Sequence, residues 1–316
     1  MIPRSAVVMG GTGSLGRHVC AALLRTGDCR VTAVARHDGP VPPGVPLVRA
    51  DLLGDDGQAL RELVAGSDVV VNAAGAGWGG TPDQMAAAHA VLVERLLRLV
   101  PPRTRLVQLG SVHEYGAIRP RQAADEDHPE RPTTVYGRTK LAGTRSILTS
   151  AAEGRSDAVI LRVTNVCGPG APATSFLGSL IGRLRELPPG APLDLRLTPD
   201  LRDFVDIRDV ADAVVRAVTA PVSGLVINIG RGHAHEVPAV AELMIKAAGF
   251  PRHRVRIGAA AAAGSTGGHG SWTKVDVSRA RALLSWSHSM SLEESLRDQW
   301  DAAVPSSDAA TGTGTA

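Results

Sequence analysis

Aromatic residues make up only 3% of this 316-residue chain, with three Phe, four Trp and two Tyr. A core founded on ring packing is excluded, so Ala, Val and Leu must fill the interior. Any chemistry that needs a phenol falls on Tyr115 or Tyr136. Cysteine is equally scarce: Cys20, Cys29 and Cys167 form no C-x-x-C pair, which excludes a disulfide framework and fits reduced thiols in the cytoplasm. Cys20 falls in an apolar helical stretch and is expected as a small buried hydrophobe. There is no run of Lys or Arg, and 34 basic against 31 acidic residues leave a formal charge of only +3. That balance argues against a nucleic-acid partner, while local positive charge for an anionic small molecule stays open. No apolar run approaches a membrane span, and since the first strand begins at once no leader is expected. A cytoplasmic protein with no membrane partner is the expectation.

What is present is alternation. Short apolar runs at 5–9, 30–35, 46–50, 68–74, 105–109 and 157–163 read as strands. Helical patterns lie between them, clearest over 83–100 and 133–152. The runs are continuously apolar, which demands cover on both faces. The expected fold class is therefore α/β, a doubly wound parallel sheet of the Rossmann type. After Val163 the punctuation changes: Gly168-Pro169-Gly170 and Pro172 precede a helical stretch over 175–187, then Pro188-Pro189-Gly190. Mixed segments follow at 201–220, 224–229 and 237–248. These predict a first domain over 1–165, rejoined over about 203–232, and a smaller, discontinuous C-terminal substrate lobe over 166–303. Trp272, Trp286 and Trp300 read as packing of that lobe. The Ala- and Gly-rich stretch 259–270 reads as a mobile loop, and 304–316 as a disordered tail.

The first strand breaks into Gly10-Gly11-Thr12-Gly13-Ser14-Leu15-Gly16 and then a helix. Glycines at 10, 13 and 16 permit a tight turn and close approach of backbone N–H groups to a pyrophosphate, with the helix N-terminus adding partial positive charge. Strand two ends in Ala35-Arg36-His37. An acid here would accept from the ribose of NAD, whereas Arg36 offers a fork to a 2′-phosphate, with Arg17 able to assist. NADP(H) is favoured; NAD(H) stays open should Asp38 supply the acid. Asp51-Leu52, after the third strand, is placed for the adenine, although Asp51 also suits a helix cap.

Tyr136 and Lys140 are four apart in a helical pattern and share one face. A phenol has an ordinary pKa of about 10, and a neighbouring ammonium favours its ionised form. Tyr136 is then able to exchange a proton with a carbonyl or hydroxyl, and Lys140 to hold the nicotinamide ribose. Ser111 ends the fifth strand, where ligands bind in such sheets.

With GGTGSLG at the start, NAAG at 72–75, GSVHEYG at 110–116, YGRTK at 136–140, RVTNVCGPG at 162–170 and RDFVDIRDVADA at 202–213, the chain resembles the extended short-chain dehydrogenases/reductases, the NAD-dependent epimerase/dehydratase group. The resemblance implies that Ser111 hydrogen-bonds the reacting carbonyl and that Tyr136 and Lys140 are the catalytic pair. It implies cofactor contacts at Ala73, Ala74, Gly75 and Val163. It further implies contacts of Asn165 and Arg202 with the diphosphate of a nucleotide sugar. From the residues alone, Asn165 also suits a loop hydrogen bond, and Arg202 an ion pair with Asp203 or Asp206. A homodimer through helices 83–100 and 133–152 is a further implication.

The 4,6-dehydratases of that group carry Thr-Asp-Glu where this chain has Ser111-Val112-His113, so elimination of water lacks its acid and base. Arg36 favours NADP(H) and thus a reductase. The strings GSVHEYG, RPTTVYGRTKLAG and GWGGTPDQM look like those of reductases acting on the C-4 ketone of a dTDP-4-keto-6-deoxyhexose, the expected dTDP-sugar partner. A nucleotide-sugar epimerase or another sugar-nucleotide reductase is the alternative. A cofactor-binding regulatory protein is disfavoured, because both Tyr136 and Lys140 are kept. His113 is expected either to face the sugar or to pack beside Tyr115, and Trp78 to pack on the sugar. His89 stands where many relatives carry Asn, a structural substitution rather than a catalytic one. HEYG has no second His at helical spacing, so no zinc-protease site and no metal is expected.

Overall fold

The computed structural model describes residues 4–54, 57–77, 79–260 and 272–304. In chain order the elements are β1 (Ser5–Met9), α1 (Ser14–Leu24), β2 (Arg30–Ala35), β3 (Leu47–Arg49), α2 (Gly57–Ala65) and β4 (Val69–Asn72). Then come α3 (Pro82–Ala86), a π-helical turn (Ala87–Val91), α4 (Leu92–Leu99), β5 (Arg105–Ser111), α5 (Val135–Ala152) and β6 (Asp157–Val163). The remainder is β7 (Asn165–Cys167), α6 (Phe176–Glu186), β8 (Leu193–Leu197), β9 (Leu201–Asp206), α7 (Ile207–Thr219), β10 (Leu225–Ile229), β11 (Ala234–Glu236), α8 (Val237–Ala247), β12 (Val255–Ala259), β13 (Trp272–Thr273), α9 (Ser278–Leu284) and α10 (Leu292–Ala303).

Seven parallel strands form the main sheet in the order β10-β6-β5-β4-β1-β2-β3. The expected doubly wound α/β sheet is present. Val7 and Met9 pack on one face and Ala6 and Val8 on the other, so β1 is buried from both sides. That double burial is why the runs are apolar throughout. The strand order reverses between β1 and β4, which opens a crevice at their carboxyl ends. One boundary matters for chemistry. The fifth strand continues past Leu109, and Gly110 and Ser111 pair with Arg162 and Val163 of β6.

Beside it, β11, β9 and β13 form a small sheet with β7 alongside β9, and β12 pairs with β8. A separate cluster including Leu180, Leu193, Met244 and Leu296 packs there, with Trp300 against it. The chain passes back to the main sheet through α7 and β10. Trp286 corrects its expected place. It is 1% exposed within the main-sheet core, and its indole N–H donates to the Asp209 carbonyl at 3.0 Å. It shares that core with the small residues Ala213 and Ala217 of α7, which the sequence of 281–288 does not announce. Trp272 also packs against that core, and donates to the Gln122 carbonyl at 2.6 Å. Residues 261–270 of the expected loop, 305–316 of the expected tail, and Trp78 lie outside the described residues. Among the described residues no helix is long and apolar enough to cross a membrane.

Candidate active site

The glycine loop is built for close approach. Gly10 and Gly11 donate to the Val34 carbonyl at 2.8 and 3.1 Å, which seats the loop on the end of β2. Gly10 has φ +73°, and a Cβ there would come within 2.8 Å of the Ala74 backbone nitrogen. A Cβ on Gly16 would overlap the Gly10 carbonyl. α1 starts at Ser14 with no side-chain cap from Gly13, leaving its first N–H groups to bind an anion. Over this loop opens a cavity of about 550 Å³, lined by Gly10, Thr12, Gly13, Ala35, Arg36, Asp51 and Leu52 with Ala73–Ala76 as its far wall. Its shape and donors fit the adenosine and pyrophosphate of a dinucleotide.

Arg36 is exposed at the rim of this cavity. Asp51 accepts from Leu53 N at 3.0 Å, a turn bond where the sequence suggested a helix cap, and it lines the cavity. Asp38 lies 3.6 Å from Arg49, turned to a cation of β3. Arg17 does not serve the 2′-phosphate end. Its guanidinium donates to the Gly170 carbonyl at 2.9 Å, beside the Ser14 hydroxyl at 2.6 Å. The first turn of α1 faces the loop after β7, and only a glycine at 170 leaves room for the guanidinium. The Ser14 hydroxyl is thus committed to Gly170.

A second cavity of about 230 Å³ joins at the same wall and is lined by Leu15, Ala73–Gly77, Ser111, Tyr136, Lys140, Val163, Thr164 and Val166. The structure therefore brings Ser111, Tyr136 and Lys140 to one hollow. Thr134 caps α5 by accepting from Gly137 N at 2.9 Å. Gly137 lets the helix press on the 112–114 turn, since a Cβ there would overlap the His113 carbonyl. Lys140 Nζ donates to the Leu109 carbonyl at 3.2 Å and lies 6.0 Å from the Tyr136 ring centre. The Ser111 hydroxyl oxygen accepts from His113 N at 3.3 Å, which leaves its proton to donate into the cavity.

Sequence reasoning missed the residues that hold this end of β5. Glu114, fully buried, accepts from Ser111 N at 2.7 Å with one oxygen and from Arg162 at 2.8 and 3.0 Å with the other. Arg162, also 0% exposed, reaches Glu130 at 2.7 Å and lies over the Tyr115 ring at 4.3 Å. Below it, Asn72 Nδ2 donates to Gln108 Oε1 at 2.7 Å, and Gln108 donates to the carbonyl that Lys140 also uses. His113 packs edge-on against Tyr136, ring centres 5.8 Å apart, rather than against Tyr115. Asn165 donates to the Asp203 carbonyl at 2.9 Å, a bond from β7 to the paired β9 rather than the loop bond the sequence suggested. Arg202 pairs with Asp200 at 2.7 Å instead of Asp203 or Asp206. Asp203 is turned to the N–H groups of Arg231 and Gly232, and Asp206 to Arg208.

His89 is 3% exposed, and burial, then the Lys140 ammonium, pull its pKa down to about 4. Its imidazole is neutral in the fold. Unfolded, it binds a proton near its ordinary value of 6.5. The stability it confers is complete above that value and is lost as pH falls toward about 4. His89→Gln should remove this part of the acid sensitivity. Urea midpoints at about pH 7 and about pH 4.5 should then differ less than in the parent; an equal difference would show that His89 carries none of it.

The profile of the NAD dependent epimerase/dehydratase family matches residues 6–230. The chain belongs to that family. It is accordingly an NAD(P)-dependent enzyme of the oxidoreductase and epimerase type. It is 37% identical over 308 residues to a dTDP-6-deoxy-L-talose 4-dehydrogenase (NAD(P)(+)) of Kitasatospora kifunensis, covering 95% of this chain and 96% of that one. It is 34% identical over 179 residues to a dTDP-L-rhamnose 4-epimerase of Burkholderia thailandensis, covering 55% and 47%. Among solved structures, MoeE5 in complex with UDP-glucuronic acid and NAD superposes with a TM-score of 0.79 at 28% identity, over 95% of this chain and 98% of that one. Among the described residues no group of His, Cys, Asp and Glu is arranged to hold a metal ion, and the three buried cysteines are unpaired. Burial pushes the thiols of Cys20 and Cys167 up to about 12, which leaves both unreactive.

Proposed function

We propose that the protein reduces the C-4 ketone of a dTDP-4-keto-6-deoxyhexose with NADPH, Tyr136 giving the proton. The observation that carries this reading is Ser111, Tyr136 and Lys140 lining one cavity that shares the Ala73–Ala76 wall with the dinucleotide cleft. When bound, the reduced nicotinamide supplies a hydride to C-4. The Ser111 hydroxyl hydrogen-bonds the ketone oxygen and orients it. Tyr136 then transfers its phenolic proton to that oxygen as the carbon–oxygen double bond becomes single, and the Lys140 ammonium favours the phenolate left behind. Hydride and proton together convert ketone to alcohol. Asn165 and Arg202, on β7 and β9, are assigned to the sugar's diphosphate. Arg202 spends one arm on Asp200 and donates with another to Thr273 at 3.2 Å, so its remaining N–H groups serve the phosphate.

Support for a C-4 oxidoreductase comes from the near full-length likeness to a 4-dehydrogenase, whose name describes the reverse direction at that carbon. The partial likeness to a 4-epimerase keeps epimerisation as a second reading. Incubation with a dTDP-4-keto-6-deoxyhexose and NADPH separates them. Stoichiometric loss of NADPH absorbance is expected; isomerised sugar with no net loss would replace the reductase by an epimerase.

For the cofactor, Arg36 at the end of β2 is the proposed 2′-phosphate ligand. Arg36→Asp should weaken NADPH by about tenfold to a hundredfold, the scale of one or two lost charge-assisted hydrogen bonds. NADH binding should stay within about twofold. An unchanged preference would move the 2′-phosphate contact elsewhere.

A further inference from the structure

The wall Ala73–Ala76 faces both cavities, and its far end is held from behind by one side chain. His89 sits on the π-helical turn Ala87–Val91, between α3 and α4. Such a turn inserts one extra residue into a helix, costs hydrogen-bond geometry, and is found disproportionately at functional sites. Here it turns His89 inward. Nε2 lies 2.9 Å from the Ala76 carbonyl and Nδ1 2.9 Å from the Thr139 hydroxyl. The ring stands edge-on to Tyr136, centres 5.1 Å apart at 86°. Thr139 itself lies on α5 between Tyr136 and Lys140.

One glycine makes room for this arrangement: a Cβ on Gly143 would overlap the His89 carbonyl. Gly75 lies beside the ring, where a Cβ would be in ordinary contact, 3.4 Å from His89 Cδ2 and 3.7 Å from Lys140 Nζ. The proton positions follow from chemistry. A carbonyl only accepts, so Nε2 carries the hydrogen toward Ala76, and Nδ1 of the neutral ring accepts from Thr139. The Thr139 oxygen also lies 3.1 Å from the Tyr136 carbonyl, but a helical carbonyl already has a partner and does not need that proton. Each contact is thus made once, in one direction.

We infer that His89 is a positioning residue, an imidazole bridge that ties the shared cavity wall at Ala76 to the catalytic turn of α5 through Thr139 and sets the Tyr136 ring against it. The inference rests on the proposed function in taking Tyr136 as the proton donor and the 4-keto sugar with NADPH as the reactants. A residue that merely filled space would be replaceable by any side chain of similar volume; a bridge needs a donor and an acceptor.

The test uses His89→Leu, His89→Gln and Thr139→Val in the full chain, with kcat and KM for the 4-keto sugar and NADPH binding by calorimetry. His89→Leu should lower kcat about tenfold or more, the cost of misplacing a catalytic group by a fraction of an ångström. KM should stay within about twofold. NADPH affinity should also fall, because Ala76 is released. Thr139→Val should lower kcat alike with NADPH affinity unchanged, since the Ala76 arm is intact. His89→Gln, whose amide both donates and accepts, should recover most of the loss. Parental kcat in His89→Leu, or His89→Gln no better than His89→Leu, would overturn the bridge. Should His89→Leu fail to fold, Thr139→Val against Thr139→Ser decides, and equal kcat in that pair overturns it. Full activity in Tyr136→Phe would instead remove the proposed proton donor, a distinct failure.

Discussion

Tyr136→Phe is expected to lower kcat by about a thousandfold, inside the range that a positioned general acid supplies. The ring stays, so its edge contacts with His89 and His113 persist and the cavity keeps its shape. What is lost is the hydroxyl, and with it the transferable proton. Lys140 remains bonded to the Leu109 carbonyl, and the glycine loop, Arg36 and Asp51 lie in the other cavity. NADPH affinity should therefore stay within about threefold, giving a loss in kcat and kcat/KM together, the mark of an interaction made in the transition state. Turnover near the parental rate would show that water or another group protonates the ketone oxygen.

Arg162→Met should cost about 3–5 kcal/mol, because it strands a buried carboxylate without its cation. The Glu114 and Arg162 side chains are both 0% exposed, so bulk solvent does not screen the pair. Glu130, 24% exposed, can be solvated and adds little to the loss. A urea titration with unchanged slope and a much lower midpoint is the expected form. The pair Glu114→Met with Arg162→Met should recover a large share, since two apolar side chains of similar size leave no orphan charge. If the single variant lost less than about 1 kcal/mol, the ion pair would be no more than an exposed one in its effect. The catalytic consequence is separable: Glu114 holds the Ser111 backbone N–H, so folded Arg162→Met should also be slower.

What could be read from the chain was what is encoded by short spacing. Glycines at 10, 13 and 16 after an apolar run state their own geometry, as Tyr136 and Lys140 do at one helical turn. The β-runs were legible because burial on both faces leaves no polar alternation. The supports of the site were not, because their partners are distant in sequence. Glu114 meets Arg162 across 48 positions, and Arg17 meets Gly170 across 153. Arg17 next to a glycine loop invited a phosphate role; only the fold shows the loop after β7 arriving there first. His89 was visible as a substitution, but its inward aim depends on a π-helical turn that no hydrophobic period reveals. Trp286 was assigned to the lobe from its place late in the chain, whereas α9 carries it back under α7.

Tyr115 gives the protein an unplanned optical property. Its ring is fully buried beneath Arg162, its hydroxyl donates to Asn228 at 2.7 Å, and burial pushes its ionisation up to about 12. The chain has two tyrosines. An ultraviolet titration of the folded protein well below that value therefore carries no phenolate signal from Tyr115, and no label or substitution is needed to silence it.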